Sequence, residues 1–207
     1  MIGILDYGAG NMHSVEKAIK KLGYPYVRIE DGTYTGEIDQ LILPGVGHAE
    51  QAMKQLEERG LVSYIKRKVE EGIPILGICL GMQLLLDASE EGDAQGLGLL
   101  KGTVPYFADP DLKVPHMGWN DVEDVKGHFL LKDLPKQTDF YFVHSYYAAP
   151  KDTDDIIGLT DYGTPFASAI GNDYVMGVQF HPEKSGEAGM KLLDNFCRYA
   201  KKKVTTC

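Results

Sequence analysis

The sequence predicts an α/β fold: a mixed, mainly parallel central sheet flanked by helices, with an antiparallel C-terminal half. Three observations carry that expectation. Through the first half, short apolar runs alternate with helix-period segments, the pattern of parallel strands joined by crossover helices. After about residue 102, extended segments follow one another with turns between them, which suits antiparallel pairing. The final stretch returns to helical spacing. With 207 residues, 43% hydrophobic and 25% charged, the chain is long enough for one sizeable core, and residues 1–207 read as a single domain.

Taken in order, residues 2–5 form the first strand. Met12, Val15, Ile19 and Leu22 then share a helical face, and Gly23 supplies a stop. Residues 26–29 and 41–43 read as strands, 49–59 and 62–71 as helices, and 75–78 as a buried central strand. Further on, 140–148, 156–161, 166–170 and 174–180 read as extended. Gly189, Leu192, Leu193, Phe196, Cys197 and Ala200 recur at helical spacing, so a closing helix should pack on the sheet. Cys197 falls on its apolar face and reads as a core residue, and Cys207 as part of a frayed end.

Composition excludes several classes of function. Thirty acidic residues against 21 basic ones leave a net charge of −9, which opposes nucleic-acid binding built on clustered Lys and Arg. The run Lys201-Lys202-Lys203 suits the last turn of a helix and needs no binding role. Three cysteines make neither a metal-ligand spacing nor a disulfide framework, which fits a reducing, cytoplasmic setting. The N-terminus lacks a basic lead, and the most apolar window, 73–88, is broken by Pro74, glycines and Gln83. Neither export nor membrane insertion is expected. No dinucleotide or Walker-type loop and no His-Glu-x-x-His occurs, so no cofactor and no metal is expected. Gly8-Ala9-Gly10 before a helix could cradle an anion, but a tight turn is the simpler reading.

Two segments carry chemistry. Gly77-Ile78-Cys79-Leu80-Gly81 lies where the buried strand ends and a helix should begin, the setting of a nucleophile elbow. Flanking glycines relieve the crowding of a sharp strand-to-helix turn, and backbone N–H groups at a helix start stabilise a thiolate. On this pentapeptide alone, a small buried hydrophobe in a strand is an equal alternative. The second segment is Val178-Gln179-Phe180-His181-Pro182-Glu183. Pro182 biases His181 toward extended backbone, and side chains two apart on extended chain share a side. Glu183 could then fix the imidazole tautomer, leaving the other ring nitrogen to exchange a proton with the thiol. A turn with a surface glutamate is the alternative.

Together the segments resemble the class I, or triad-type, glutamine amidotransferases, whose signatures are Gly-x-Cys-x-Gly-x-Gln, here Gly77 to Gln83, and a downstream His-Pro-Glu. Asp6-Tyr7-Gly8-Ala9-Gly10-Asn11, Pro44-Gly45-Val46-Gly47, Pro115-His116-Met117-Gly118-Trp119-Asn120 and His144-Ser145-Tyr146 are similar to one branch, the glutaminase subunits of imidazole glycerol phosphate synthases. The resemblance implies Cys79 as nucleophile, His181 as general base and acid, and Glu183 as its orienting group. It implies oxyanion donors at Leu80 and in the Val46–Gly47 segment, although an ordinary glycine turn also explains 44–47.

By the same resemblance, Gln83, Glu91, His144 and Ser145 recognise the α-amino and α-carboxylate groups of glutamine. Glu90-Glu91-Gly92-Asp93 also reads as a solvated acidic loop, and His144-Ser145 as an ordinary strand. Met117, Trp119 and Asn120 resemble a loop that docks on a cyclase subunit, a (β/α)₈ barrel, in a 1:1 heterodimer, with Tyr141 and Lys184 as further interface candidates. A buried tryptophan is the alternative for Trp119. The implied cyclase uses the released ammonia to form imidazole glycerol phosphate and aminoimidazole carboxamide ribotide in histidine biosynthesis. Low glutaminase activity of the isolated chain is implied as well.

Overall fold

The structure, a computed structural model, describes residues 1–8 and 11–203, with side chains up to residue 199. Ala9, Gly10 and Cys207, and the side chains of Ala200 and Lys201 to Lys203, lie outside the described residues. The chain begins with β1 (Ile2–Leu5), α1 (Met12–Lys21), β2 (Tyr26–Ile29), β3 (Gln40–Gly45), α2 (Ala49–Glu58), α3 (Leu61–Glu70), β4 (Ile75–Cys79) and the one-turn α4 (Leu80–Gln83). Short strands β5 (Ala88–Ser89), β6 (Ala94–Gln95) and β7 (Gly102–Val104) follow, then β8 (His116–Asp124), β9 (Gln137–His144) and β10 (Ala149–Pro150). Last come β11 (Ile156–Asp161), β12 (Pro165–Gly171), β13 (Val175–Val178) and α5 (Gly186–Lys203).

Nine strands form one sheet in the order β2-β1-β3-β4-β13-β12-β11-β8-β9. The pairings from β2 to β13 are all parallel, and those from β13 to β9 all antiparallel. The mixed, mainly parallel sheet with an antiparallel half is therefore present. In the parallel half, residues alternate between two cores, as strands covered on both faces must. Leu5, Leu41 and Leu43 pack with Leu56, Tyr64 and Ile65 of α2 and α3. Ile4, Ile42 and Ile78 pack with Val15 and Ile19 of α1 and with Leu192, Leu193, Phe196 and Cys197 of α5. Cys197 is a core residue, 2% exposed.

Helix α1 ends as Gly23 predicts: at φ +79, Gly23 donates to the Lys20 carbonyl and Tyr24 to that of Ile19, a Schellman closure. Its one buried charge, Glu16, is held below the usual carboxylate range by hydrogen bonds from Arg28 on β2.

The structure departs from expectation in several places, and the strand expected over 174–180 is confined to β13. The expected extended run 140–148 breaks after His144, because the chain there leaves the large sheet for a second one, β10-β7-β5-β6. That second sheet left no sequence signal, since strands of two or three residues show no periodicity. Met117, Trp119 and Asn120, expected in a loop, lie on β8, which pairs with β9 from His116↔His144 to Glu123↔Gln137.

Candidate active site

Three of the segments singled out from sequence, Pro44 to Gly47, Gly77 to Gly81 and Val178 to Glu183, meet at the C-terminal ends of the parallel strands. In β3, Gly45 is level with Cys79 of β4, and Val178 of β13 is level with Ile78. Their C-terminal ends open into the same crevice, where ligands bind in α/β sheets. Parallel pairing of β13 with β4 places His181 beside a cysteine about a hundred residues earlier.

Cys79 is the last residue of β4 and caps α4 with φ 55 and ψ −112, a conformation costly for a residue with a Cβ. The glycines around it have steric reasons. A Cβ on Gly81 would sit 1.8 Å from the Leu43 carbonyl oxygen, and one on Gly77 would sit 2.5 Å from that of Gly81. Gly45 is pressed equally closely: its Cβ would lie 2.6 Å from the Tyr7 hydroxyl and 2.8 Å from the Gly81 nitrogen. The elbow therefore exists only where three backbones touch without side chains between them.

His181 is extended, at φ −101 and ψ 93, as the following proline dictates. Its Nδ1 lies 2.7 Å from Glu183 Oε1, and both side chains are excluded from solvent. A one-turn 3₁₀ helix over Pro182–Lys184 makes this contact, rather than the continuous extended chain expected from the sequence. An ionised carboxylate only accepts hydrogen bonds, so Nδ1 carries the proton. Nε2 is buried and makes no hydrogen bond of standard geometry, and the Cys79 thiol is the group next to it that acts on the ring. Burial alone would lower the His181 pKa, but Cys79 and Glu183 outweigh it and raise the pKa to about 9. The imidazole is therefore a good holder of a proton drawn from a neighbouring acid.

Four residues outside the expected site complete it. Asn11, at the head of α1, donates to the same Glu183 oxygen. Ser185 donates to the His181 carbonyl at 2.7 Å and accepts from the Tyr141 N–H at 3.0 Å. Gln179 points its amide nitrogen at Cys79 Sγ, 3.8 Å away. Tyr7 buries its hydroxyl beneath the elbow, and burial, aided by Cys79, raises its pKa. Asn11 and Tyr7 fall in one motif visible in the sequence and Gln179 in the segment that ends at Glu183, but nothing local marks their contacts; Ser185 carries no local signal.

Cys79 and His181 open onto a cavity of about 310 Å³ lined also by Val46, Gly47, Leu80, Gln83, Glu91, His144 and Ser145. All the expected oxyanion and substrate residues therefore converge there, and the volume suits a small amino acid. Gly47, at φ +100, has open space around its Cα. Gln83 donates to the Tyr146 carbonyl at 2.9 Å. Glu91 Oε2 accepts from the Ala49 N–H at the start of α2, at 2.7 Å, so it is held in place rather than solvated in a loose loop. A wider hollow of about 900 Å³ lies behind Glu183, between α1 and α5, away from the thiol. No cluster of side chains among the described residues could hold a metal ion, and none of their helices is long and apolar enough to cross a membrane.

Beside the cavity, Met117 and Trp119 are 63% and 59% exposed, so the alternative of a buried tryptophan is excluded. Trp119 is level with Tyr141, and Met117 with Val143, which lines the cavity. The Trp119 and Tyr141 rings meet edge-on at 6.2 Å, and Lys184 Nζ lies 6.0 Å over the Tyr141 ring. Asn120 is on the opposite side of the strand and donates to the Asp161 carbonyl at 2.9 Å.

The family model described as "Glutamine amidotransferase class-I" matches residues 3–200. The imidazole glycerol phosphate synthase subunit HisH of Desulfitobacterium hafniense (strain Y51) is 48% identical over 206 residues, covering 99% of this chain and 97% of its own. The subunit of the same name from Aquifex aeolicus (strain VF5) is 49% identical, covering 98% of each chain. A solved structure described as a glutamine amidotransferase superimposes with a TM-score of 0.77 at 20% identity, over 97% of this chain and 98% of the other.

Proposed function

The chain belongs to the class I glutamine amidotransferases, enzymes that release ammonia from glutamine, and from that premise we propose the residues that do so and the partner that receives the product. Cys79 attacks the side-chain amide carbon of glutamine, forming a C–S bond and a tetrahedral oxyanion. The Leu80 N–H at the start of α4 and a peptide N–H of the Val46–Gly47 segment stabilise that oxygen. His181 takes the thiol proton and delivers it to the departing nitrogen, so that ammonia leaves and a glutamyl thioester remains. Water, activated by the same imidazole, cleaves the thioester to glutamate. Glu183 holds the ring, while Gln83, Glu91, His144 and Ser145 receive the α-amino and α-carboxylate groups of the substrate.

The observation that carries this reading is the strained Cys79 at the mouth of the cavity with the buried His181–Glu183 pair beside it. We further propose that the ammonia passes to a cyclase subunit, a (β/α)₈ barrel bound 1:1, which uses it to make imidazole glycerol phosphate and aminoimidazole carboxamide ribotide. The near-half identity to the HisH subunits supports this choice, as does an exposed Met117–Trp119 surface next to the cavity, with Tyr141 and Lys184 beside it. Asn120 serves from behind, bracing the strand. Delivery to a bound acceptor keeps ammonia from being protonated in water. Continuity of the nine-stranded sheet from Ile2 to Val178 supports one catalytic domain, and we assign it to the cytoplasm with its metabolic partner.

The test is glutamate release by the chain with and without the cyclase and its ribotide. Turnover should rise strongly when both are added; turnover left at the isolated-chain level would rule out the assigned partner. Cys79→Ala should abolish glutamate release while the complex still cyclises with free ammonia. Equal loss of both activities would make Cys79 structural.

A further inference from the structure

A buried chain of hydrogen bonds runs from β8 to the sulfur of Cys79. Tyr146 stands at its centre, since its backbone carbonyl accepts from His144 Nδ1 at 2.7 Å and from Gln83 Nε2 at 2.9 Å. On one side, His144 Nε2 lies 2.9 Å from His116 Nδ1, and His116 Nε2 lies 3.3 Å from Asn120 Nδ2. On the other side, Gln83 Nε2 also donates to Gln179 Oε1 at 3.0 Å, and Gln179 Nε2 lies 3.8 Å from Cys79 Sγ. His116, His144, Gln83 and Gln179 are all buried, none more than 6% exposed.

The direction of each bond follows from elementary chemistry. A carbonyl oxygen only accepts, so His144 Nδ1 carries a proton. Burial keeps both imidazoles neutral, with pKa values pushed down to about 3 for His144 and about 4 for His116. His144 Nε2 is therefore an acceptor, so His116 Nδ1 must be the donor. His116 Nε2 is left to accept from Asn120, whose amide also donates to the Asp161 carbonyl. No orientation is free, and no member is unsatisfied. Such a network is rigid, and breaking one bond strands a buried acceptor.

Resting on the reading of Cys79 as nucleophile, we infer that His116 is a positioning residue for the glutamine site. It touches neither the cavity nor the thiol. By donating to His144 Nε2, it fixes the His144 ring in the cavity wall, and through His144 it fixes the Tyr146 carbonyl to which Gln83 also donates, Gln83 in turn holding Gln179. His116 is clamped in turn between the rings of Phe142 and Tyr162, at 4.8 and 4.0 Å. It belongs to the same strand as Trp119, so this bond gives a partner seated on β8 a side-chain route to the substrate pocket, beside the backbone pairing of β8 with β9.

The test uses the full chain and needs no partner: a chloroketone analogue of glutamine is titrated, and labelled Cys79 is followed by mass spectrometry. Saturation separates affinity for the analogue from the maximal alkylation rate. His116→Phe preserves the ring stacking but removes the donor. It should raise the half-saturating concentration about tenfold or more, the maximal rate changing less. His116→Asn, whose amide nitrogen overlays Nδ1, should stay within about threefold of wild type. His116→Gln, which is equally polar but places its nitrogen near Nε2, should behave like Phe; comparing Asn with Gln decides the matter even if the Phe variant does not fold. Wild-type labelling in the Phe or Gln variant, or an Asn variant as impaired as Gln, would overturn the inference. Label found on a residue other than Cys79 would instead defeat the reading of Cys79 on which it rests.

Discussion

At the scale of single residues, the site is a set of protonation states fixed by burial and neighbours. Glu183 holds a proton on His181 Nδ1, and replacing it with glutamine keeps the shape while removing the charge that favours imidazolium. Glu183→Gln should lower kcat/KM for glutamine about 100-fold or more, in steady-state assays of the complex, with little change in KM. The buried histidines set opposite pH trends. His116 and His144 stay neutral down to about 4 and about 3, whereas unfolded histidine titrates near ~6.5. Below that value the unfolded chain binds more protons, so acid favours unfolding. Their contribution is whole above about pH 6.5 and is lost as pH falls toward their folded values. His181, raised to about 9, contributes fully below about pH 6.5 and loses its contribution as pH rises through about 9. Thermal melts between pH 6.5 and 4 should therefore show a falling Tm, with a shallower fall in His116→Asn. Parallel curves for the two proteins would contradict the assigned neutrality of His116.

At the scale of elements, the elbow and the β8–β9 ribbon do different work. Gly81 lies so close to Leu43 that even a methyl group must push two backbones apart. Gly81→Ala should cost about 3 kcal/mol, read as a lower denaturant midpoint. Trp119 is largely exposed, so Trp119→Ala should change stability by no more than about 0.5 kcal/mol. The same change should weaken binding of the proposed cyclase by about 2 kcal/mol, measured by titration calorimetry. Elements with strong periodicity were legible in the sequence. Helix α1 starts and stops where Met12 and Gly23 place it, and β11 has its expected bounds. Strand β8 was not legible, because Gly118, Asn120 and Asp121 interrupt its apolar alternation and its exposed face is apolar instead. Cys79, His181 and Glu183 were legible because a proline and two close-packed glycines leave local marks. The contacts of Gln179, Ser185 and Tyr7 were not, even where the residue lies in a segment singled out from sequence, since those contacts arise only across the fold.

At the scale of the whole molecule, two cores hold the sheet between α2–α3 on one side and α1–α5 on the other. Phe196 on α5 is fully buried against the sheet, and Phe196→Ala should cost about 4 kcal/mol in equilibrium unfolding. Strand order matters more than any single contact. β13 is the last strand to be synthesised, yet it lies between β4 and β12 in the middle of the sheet. Until it inserts, β4 presents an open edge, the hazard that any unpaired strand carries, and the thiol at its tip has no imidazole beside it. A chain still leaving the ribosome therefore carries the Cys79 thiol for about a hundred residues without His181 beside it. Closing the sheet and bringing the imidazole to the cysteine are one event, so on the proposed roles of the two residues an unfinished copy would consume no glutamine.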